Sequence, residues 1–210
     1  MLTGKTILIL APHTDDGELG CGATIAKANS EGAKVFYAAF STADESVPDG
    51  FPQNQLEIEV KDATQRLGIK KEHLFIYKFE VRKLNYVRQE ILEELIKIRK
   101  QIQPDIVFLP SSKDIHQDHK TVNEEGIRAF KFCTILGYEL IWNNLSFATD
   151  CFIEISKQQL DAKIDALQAY ATQEGKLYMD PDFIRSLAKI RGTQIGVPFA
   201  ETFEVIRWIL

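Results

Sequence analysis

Residues 6–11 read Thr-Ile-Leu-Ile-Leu-Ala and run without a polar break into Pro12. An uninterrupted run of this length predicts a strand buried on both faces, the kind found in parallel sheets covered by helices on either side. Where the strand stops, His13, Asp15, Asp16 and Glu18 crowd into a few positions. Two adjacent aspartates repel each other, so an uncompensated loop does not favour them. A divalent cation removes that repulsion, because imidazole and carboxylate are its ordinary ligands. His13 and Asp16 lie three apart, and one tight turn can aim both at a common point. Asp15 then faces elsewhere, free to act on something held beside the cation. A helix start capped by acidic residues explains one or two of the carboxylates, but not the histidine among them.

A second segment strengthens the reading. Ile115-His116-Gln117-Asp118-His119 follows another buried-looking strand, residues 105–110, Asp-Ile-Val-Phe-Leu-Pro. Alone, His116 and His119 would read as a solvated helix turn. However, three of the chain's four histidines sit in these two short segments. Both segments follow strands, and in an open parallel sheet the carboxyl ends of the strands share one edge, where ligands bind.

Further along, residues 17–32 predict a helix in which Leu19, Ala23 and Ala26 face inward and Gly20 and Gly22 permit close backbone approach. Residues 35–40 predict a second strand, and the polar loop 41–55 that follows is long enough to be functional. Helices are expected over 57–67, 85–103, 121–132, 157–170 and 181–190, the one at 85–103 carrying a clear apolar stripe. Short strands are expected over 74–79, 138–142 and 151–155, and a terminal strand over 203–210. Strand and helix alternate through the first part, the signature of a Rossmann-like, doubly wound α/β fold with a mostly parallel sheet and helices on both faces. With no repeat, linker or low-complexity tract, residues 1–210 read as one domain.

Composition narrows the class. The 25 Lys and Arg against 30 Asp and Glu give a formal charge of -5, which argues against a nucleic-acid surface. Cys21, Cys133 and Cys151 form no Cys-x-x-Cys pair and read as small hydrophobes in a reducing compartment. The run 6–11 is too short for a signal-peptide core, and no stretch approaches the ~20 apolar residues of a membrane helix. A cytoplasmic protein without an integral membrane segment is the expectation, and a homo-oligomer is compatible with the composition.

If His13, Asp16 and His119 hold a cation, two imidazoles and one carboxylate leave coordination positions open, as a catalytic site requires. Hydrolysis then needs a base, a stabiliser for the developing oxyanion and an acid for the leaving group. Asp15 suits the base. His116 suits the acid or a second oxyanion donor. Asp118 suits a partner that orients a histidine, the plain alternative being a solvated helix carboxylate.

Residues 12–18 (Pro-His-Thr-Asp-Asp-Gly-Glu), followed by Gly20-Cys21-Gly22-Ala23-Thr24, resemble the opening of the LmbE-like, PIG-L-type zinc de-N-acetylases. His116-Gln117-Asp118-His119 matches that family's later His-x-Asp-His segment, and residues 191–203 resemble its close. The resemblance implies a Rossmann-like fold and removal of an N-acetyl group from a small-molecule amino-sugar derivative. By position it makes His13, Asp16 and His119 the ligands of one zinc per chain, with Fe(II) able to fill the same ligands. It makes Asp15 the base and lets His116 assist the leaving group. Thr14 stands where many members have proline. The arginine with which members acting on thiol-precursor glucosaminides contact the sugar has no counterpart in Gln53-Asn54-Gln55-Leu56. Residues 138–144 and 171–173 look more like members associated with bacterial surface-polysaccharide synthesis, whose substrates include nucleotide- and lipid-linked sugars.

Two enzyme readings stay open beside this one: a non-sugar amide and a thiol-precursor glucosaminide as substrate. From another class, a catalytically silent metal- or nucleotide-binding module is the rival. Its nucleotide form is weakened because Gly17, Gly20 and Gly22 lack the Gly-x-Gly-x-x-Gly spacing and the neighbouring carboxylates would repel phosphate.

Overall fold

The computed structural model describes residues 2–209. Its core is a seven-stranded sheet with strand order β3-β2-β1-β4-β5-β7-β6. The strands are β1 (Thr6–Ala11), β2 (Lys34–Ala39), β3 (Leu74–Ile76), β4 (Ile106–Pro110), β5 (Thr134–Tyr138), β6 (Cys151–Glu154) and β7 (Ala200–Arg207). The first five are mutually parallel, and β7 runs antiparallel between β5 and β6. This is the mostly parallel α/β sheet expected from the alternation of elements.

The central strand shows why its sequence has no polar break. Ile7, Ile9 and Ala11 enter one core and Leu8 and Leu10 the other, with every one of them buried. A period of two therefore still operates, but both faces meet helices. The first face is covered by α1 (Asp16–Ser30), α2 (Gln55–Arg66), α5 (Lys157–Leu167) and α6 (Pro181–Ile195). The second is covered by α3 (Arg88–Ile102) and α4 (Gln117–Ala129).

Helix α1 is not the regular helix its sequence suggests. Cys21 has φ -146° and ψ 25°, which breaks the hydrogen-bond ladder. The freed groups find side-chain partners from far along the chain. Lys163 Nζ donates to Leu19 O at 2.7 Å, and Glu201 accepts from Ala23 N at 3.2 Å and Thr24 N at 2.7 Å. Lys163 and Glu201 also pair with each other at 2.7 Å, both almost fully buried. The close approaches expected at Gly20 and Gly22 are made to the Tyr138 ring and the Lys163 stem, each of which a Cβ would overlap.

Several boundaries differ from expectation for identifiable reasons. The strand expected over 138–142 lies at Thr134–Tyr138, where Ile135, Leu136 and Tyr138 are all buried. Gly137 weakens the strand signal there, and its lack of a side chain lets Ser111 pass close by. Helix α4 begins at Gln117 rather than 121, because His116 caps it by accepting from Asp118 N. Helix α3 starts at Arg88, after a 3-10 turn at Leu84–Tyr86. Strand β3 has only three residues, α6 continues to Ile195 until Gly196 stops it at φ 75°, and β7 begins at Ala200. The expected terminal strand reached Leu210, which lies outside the described residues. Among the described residues, no helix is long and apolar enough to cross a membrane.

Candidate active site

In the order β3-β2-β1-β4-β5 the winding direction reverses between β1 and β4, and their carboxyl ends open a crevice there. The loop after β1 carries His13 to Asp16, and the segment after β4 carries Asp114 to His119. All six residues singled out from the sequence meet at this point, although the two segments are about a hundred positions apart.

Three donor atoms form a nearly equilateral triangle. His13 Nδ1 is 3.1 Å from Asp16 Oδ2, His119 Nε2 is 3.2 Å from the same oxygen, and the two nitrogens are 3.2 Å apart. Tetrahedral coordination with bonds of about 2.0–2.1 Å separates donors by roughly 3.3 Å, so the triangle has the dimensions of one face of a zinc site. The far nitrogens are held by carboxylates. His13 Nε2 meets Asp118 Oδ2 at 2.9 Å, and His119 Nδ1 meets Asp114 Oδ2 at 2.7 Å. In the unprotonated ring each carboxylate takes the ring N–H, which leaves the opposite lone pair directed into the triangle.

The supporting groups are themselves fixed. Asp118 is fully buried, not a solvated helix carboxylate, and accepts from Arg82 N at 2.6 Å and Leu84 N at 3.2 Å. Asp114 also accepts from His116 N at 2.8 Å. Behind the loop, the Tyr37 and Tyr170 hydroxyls reach Thr14 O at 2.9 and 2.7 Å, and both touch the buried Glu18 carboxylate.

Charge within the cluster follows from burial and proximity. Burial opposes a positive His13 or His119, but Asp16 together with Asp118 on His13, and together with Asp114 on His119, outweighs it and lifts them to about 9 and about 10. Asp16 is held well below the usual carboxylate range, since His119 and His13 overcome its burial. Asp15 moves the other way: burial and the adjacent Asp16 push it up to about 6. His116 is pushed down by burial and by the two neighbouring histidines.

His116 completes a three-histidine cluster whose nitrogens lie within 4.8 Å of one another. Its ring centre is 5.0 Å from that of His13 and 4.5 Å from that of His119. Because Nδ1 accepts from Asp118 N at 3.2 Å, the ring proton belongs on Nε2. The cluster forms the floor of a cleft of about 340 Å³, into which Asp15 also faces. Ala43 and Ser46 from the loop after β2, Arg82, Trp142, Lys176 and Tyr178 line its sides.

Sequence reasoning did not find Asp114, Tyr37, Tyr170, Arg82, Trp142, Lys176 or Tyr178. Only Asp114 carried a usable signal, an acidic residue between the strand end and the histidine pair. The others arrive from strand β2 or from loops and turns that only tertiary packing brings near.

A carboxylate-supported imidazole cluster at the switch point of a Rossmann-like sheet, opening on a cleft, defines the class of α/β proteins that act on small ligands at their strand ends. The family described as PIG-L, GlcNAc-PI de-N-acetylase, matches residues 8–130, more than half of the chain, and the chain belongs to that family. The diacetylchitobiose deacetylase of Thermococcus kodakarensis is 25% identical over 222 residues, covering 94% of this chain and 81% of that protein. Among solved structures, a conserved protein from Thermus thermophilus superposes with a TM-score of 0.82 at 26% identity, covering 98% of this chain and 96% of that one. The N,N'-diacetylchitobiose deacetylase from Pyrococcus horikoshii superposes with a TM-score of 0.80 at 22% identity, covering 96% and 84%.

Proposed function

We propose that this protein is a zinc-dependent hydrolase that removes the N-acetyl group from an amino-sugar derivative. The observation that carries the reading is the triangle of His13 Nδ1, Asp16 Oδ2 and His119 Nε2 with edges of 3.1–3.2 Å, beside which Asp15 faces the cleft. Family membership and the diacetylchitobiose deacetylase relative support the N-acetyl sugar as substrate class. In this reading His13, Asp16 and His119 hold one zinc ion, and Fe(II) fits the same donors. The free cysteines suit a reducing compartment such as the cytoplasm.

A divalent cation at these donors lowers the pKa of a bound water from ~15.7 toward 7 and polarises an amide carbonyl. Asp15 takes the proton from the attacking water as its oxygen bonds to the acetyl carbon. A group whose ordinary value is moved toward neutrality is matched to that task. When the C–N bond breaks, the departing nitrogen takes the proton from Asp15, giving acetic acid and an amine, and the acid's remaining proton passes to the amine so that acetate and an ammonium leave.

His116 has two roles open to it, proton donor to the nitrogen or hydrogen-bond donor to the carbonyl oxygen. Its cap geometry favours the second. An imidazolium would set an Nδ1–H against the Asp118 N–H that now donates to it, whereas the neutral ring keeps that bond and offers Nε2–H to the oxygen. Asp118 and Asp114 act on the histidines and do not touch substrate.

The test is acetate release by zinc-reconstituted protein across N-acetylhexosamines and their nucleotide and glycosyl derivatives. Release from at least one amino sugar, abolished by chelation and restored by zinc, is expected. Zinc-loaded protein that releases acetate from none of them would overturn the reading.

A further inference from the structure

The base of the proposed reaction stands where an aspartate ordinarily has a different task. Asp15 is the N-cap of α1, with φ -100° and ψ -10°, and its carbonyl accepts from Leu19 N at 3.0 Å, as that of a cap residue should. An aspartate in this place normally turns its carboxylate onto the N–H of the second or third helical residue, here Gly17 or Glu18. The Asp15 side chain makes no such bond and faces the cleft instead. The first N–H groups of a helix have no partner within it, and they attract a neighbouring carboxylate. Some other acceptor must therefore serve α1 if Asp15 is to stay free.

That acceptor is Tyr37. Gly17 N donates to the Tyr37 hydroxyl at 3.2 Å, and the oxygen arrives from β2, outside the helix and its loop. The hydroxyl keeps its own proton for Glu18 or for Thr14 O, the latter 2.9 Å away, so it accepts from Gly17 without giving up a bond. Thr14 O belongs to the peptide unit that leads into Asp15, which ties the same phenol to the backbone on both sides of the base. A Cβ on residue 17 would lie 2.5 Å from Tyr37 Cε2 and 2.7 Å from its oxygen, so the phenol comes this close only because residue 17 is glycine. Tyr37 is fully buried, and its hydroxyl stays where the packing of β2 puts it. Tyr170 supplies the contrast. Its hydroxyl meets Thr14 O at 2.7 Å and Glu18 at 2.9 Å, but Gly17 N is not among its partners.

We propose that Tyr37 is a positioning residue: its hydroxyl caps α1 in place of Asp15, and the carboxylate so released stands in the cleft as the base. The part in catalysis rests on the de-N-acetylase reading; the exchange of caps does not. Without the hydroxyl, the ordinary cap bond from Asp15 to Gly17 N becomes available again, and a molecule in which it forms has no base in the cleft.

The experiment follows the amide of residue 17 by nitrogen-15 NMR of the zinc-loaded full chain, beside steady-state kinetics. A bond to a carboxylate is charge-assisted and moves an amide proton downfield. Asp15→Asn is therefore expected to move the Gly17 amide far more in a Tyr37→Phe background than in the wild type, where the phenol holds it. Tyr170→Phe disturbs the same Glu18 and Thr14 contacts and should leave the response to Asp15→Asn at its wild-type size. In turnover, Tyr37→Phe should lower kcat about fivefold or more, the population ratio that one ordinary helix cap commands, with KM and zinc content kept. Adding Asp15→Asn to it should then lower kcat by a smaller factor than Asp15→Asn does alone. If Tyr37→Phe does not fold, Gly17→Ala breaks the same contact from the other side, and the amide of residue 17 is read in the same way. An equal response to Asp15→Asn with and without the phenol contact, an enhanced response in Tyr170→Phe as well, or a loss in Tyr37→Phe that lies in zinc content and not in kcat would overturn the proposal. A wild type that releases no acetate while the amide responses are as expected would count against the deacetylase reading alone.

Discussion

Asp118 Oδ2 lies 2.9 Å from His13 Nε2, joining the segment after β4 to the ring of a residue 105 positions earlier in the chain. The same carboxylate is clamped by two backbone N–H groups from the Arg82 loop, so it cannot follow the ring if the ring turns. Orientation of His13 is therefore imposed from outside its own loop. Asp118→Asn or Asp114→Asn should weaken zinc binding about 10–100-fold, the usual cost of losing a carboxylate that orients a ligand histidine. Competition with a chelator of known affinity measures it. Unchanged affinity in both variants would mean that the rings are held by packing alone.

The kink in α1 makes a stability prediction. Lys163→Met leaves Glu201 charged and buried without its cation, and leaves Leu19 O without its donor. Breaking such a pair costs about 3–5 kcal/mol, which for a chain of this size lowers Tm by on the order of 10 °C. Thermal unfolding of metal-free protein is the measurement. A loss below about 1 kcal/mol, the range of surface ion pairs, would show that water replaces the lysine.

How much of this was legible beforehand depended on whether a residue's role is local. The apolar runs of β1 and β4 and the motifs at their ends are local, so the parallel sheet and the convergence of His13, Asp15, Asp16, His116, Asp118 and His119 could be read directly. The kink at Cys21 could not, because its compensation comes from Lys163 and Glu201, both far away in sequence. Strand β5 was misplaced because Gly137 interrupts the signal while Leu140 and Trp142 extend it. Trp142 belongs instead to a loop that carries it to the cleft. Arg82 showed nothing in sequence, since its importance lies in a backbone conformation, φ 65°, that arginine rarely adopts.

The pKa values set a pH profile for the metal-free protein. His13 and His119 rise from 6.5 to about 9 and about 10, so the stability they contribute is fully present below pH 6.5 and is lost as pH rises through those values. Glu18, raised by burial from 4.5 to about 8 against the pull of its two tyrosines, acts in the same direction over its own interval. Zinc needs unprotonated rings, so its affinity should climb over the window in which the metal-free fold weakens. Urea unfolding with and without zinc, below and above this window, should show the zinc-induced stabilisation growing with pH. A gap that is constant or shrinks would contradict these assignments.

The loop after β2, residues 41–55, reaches the cleft through Ala43 and Ser46, and Ser46 also holds Arg82. Shortening it between Val47 and Gln53 should raise KM several-fold or change substrate preference while zinc content stays at one per chain. Unchanged kinetics on the best substrate would reduce the loop to a surface connector.

The central claim is the division of labour between two adjacent aspartates, Asp16 on the cation and Asp15 on the water. Asp15→Asn keeps size and shape but removes the basic lone pair, and the Asp16 Oδ2 contacts to His13 and His119 do not involve it. The most direct measurement is acetate release by Asp15→Asn at full zinc occupancy, verified by elemental analysis beside Asp16→Asn. Turnover should fall on the order of 10²–10⁴-fold with close to one zinc retained, while Asp16→Asn binds zinc weakly. Turnover unchanged in Asp15→Asn, or zinc lost there and kept in Asp16→Asn, would contradict it.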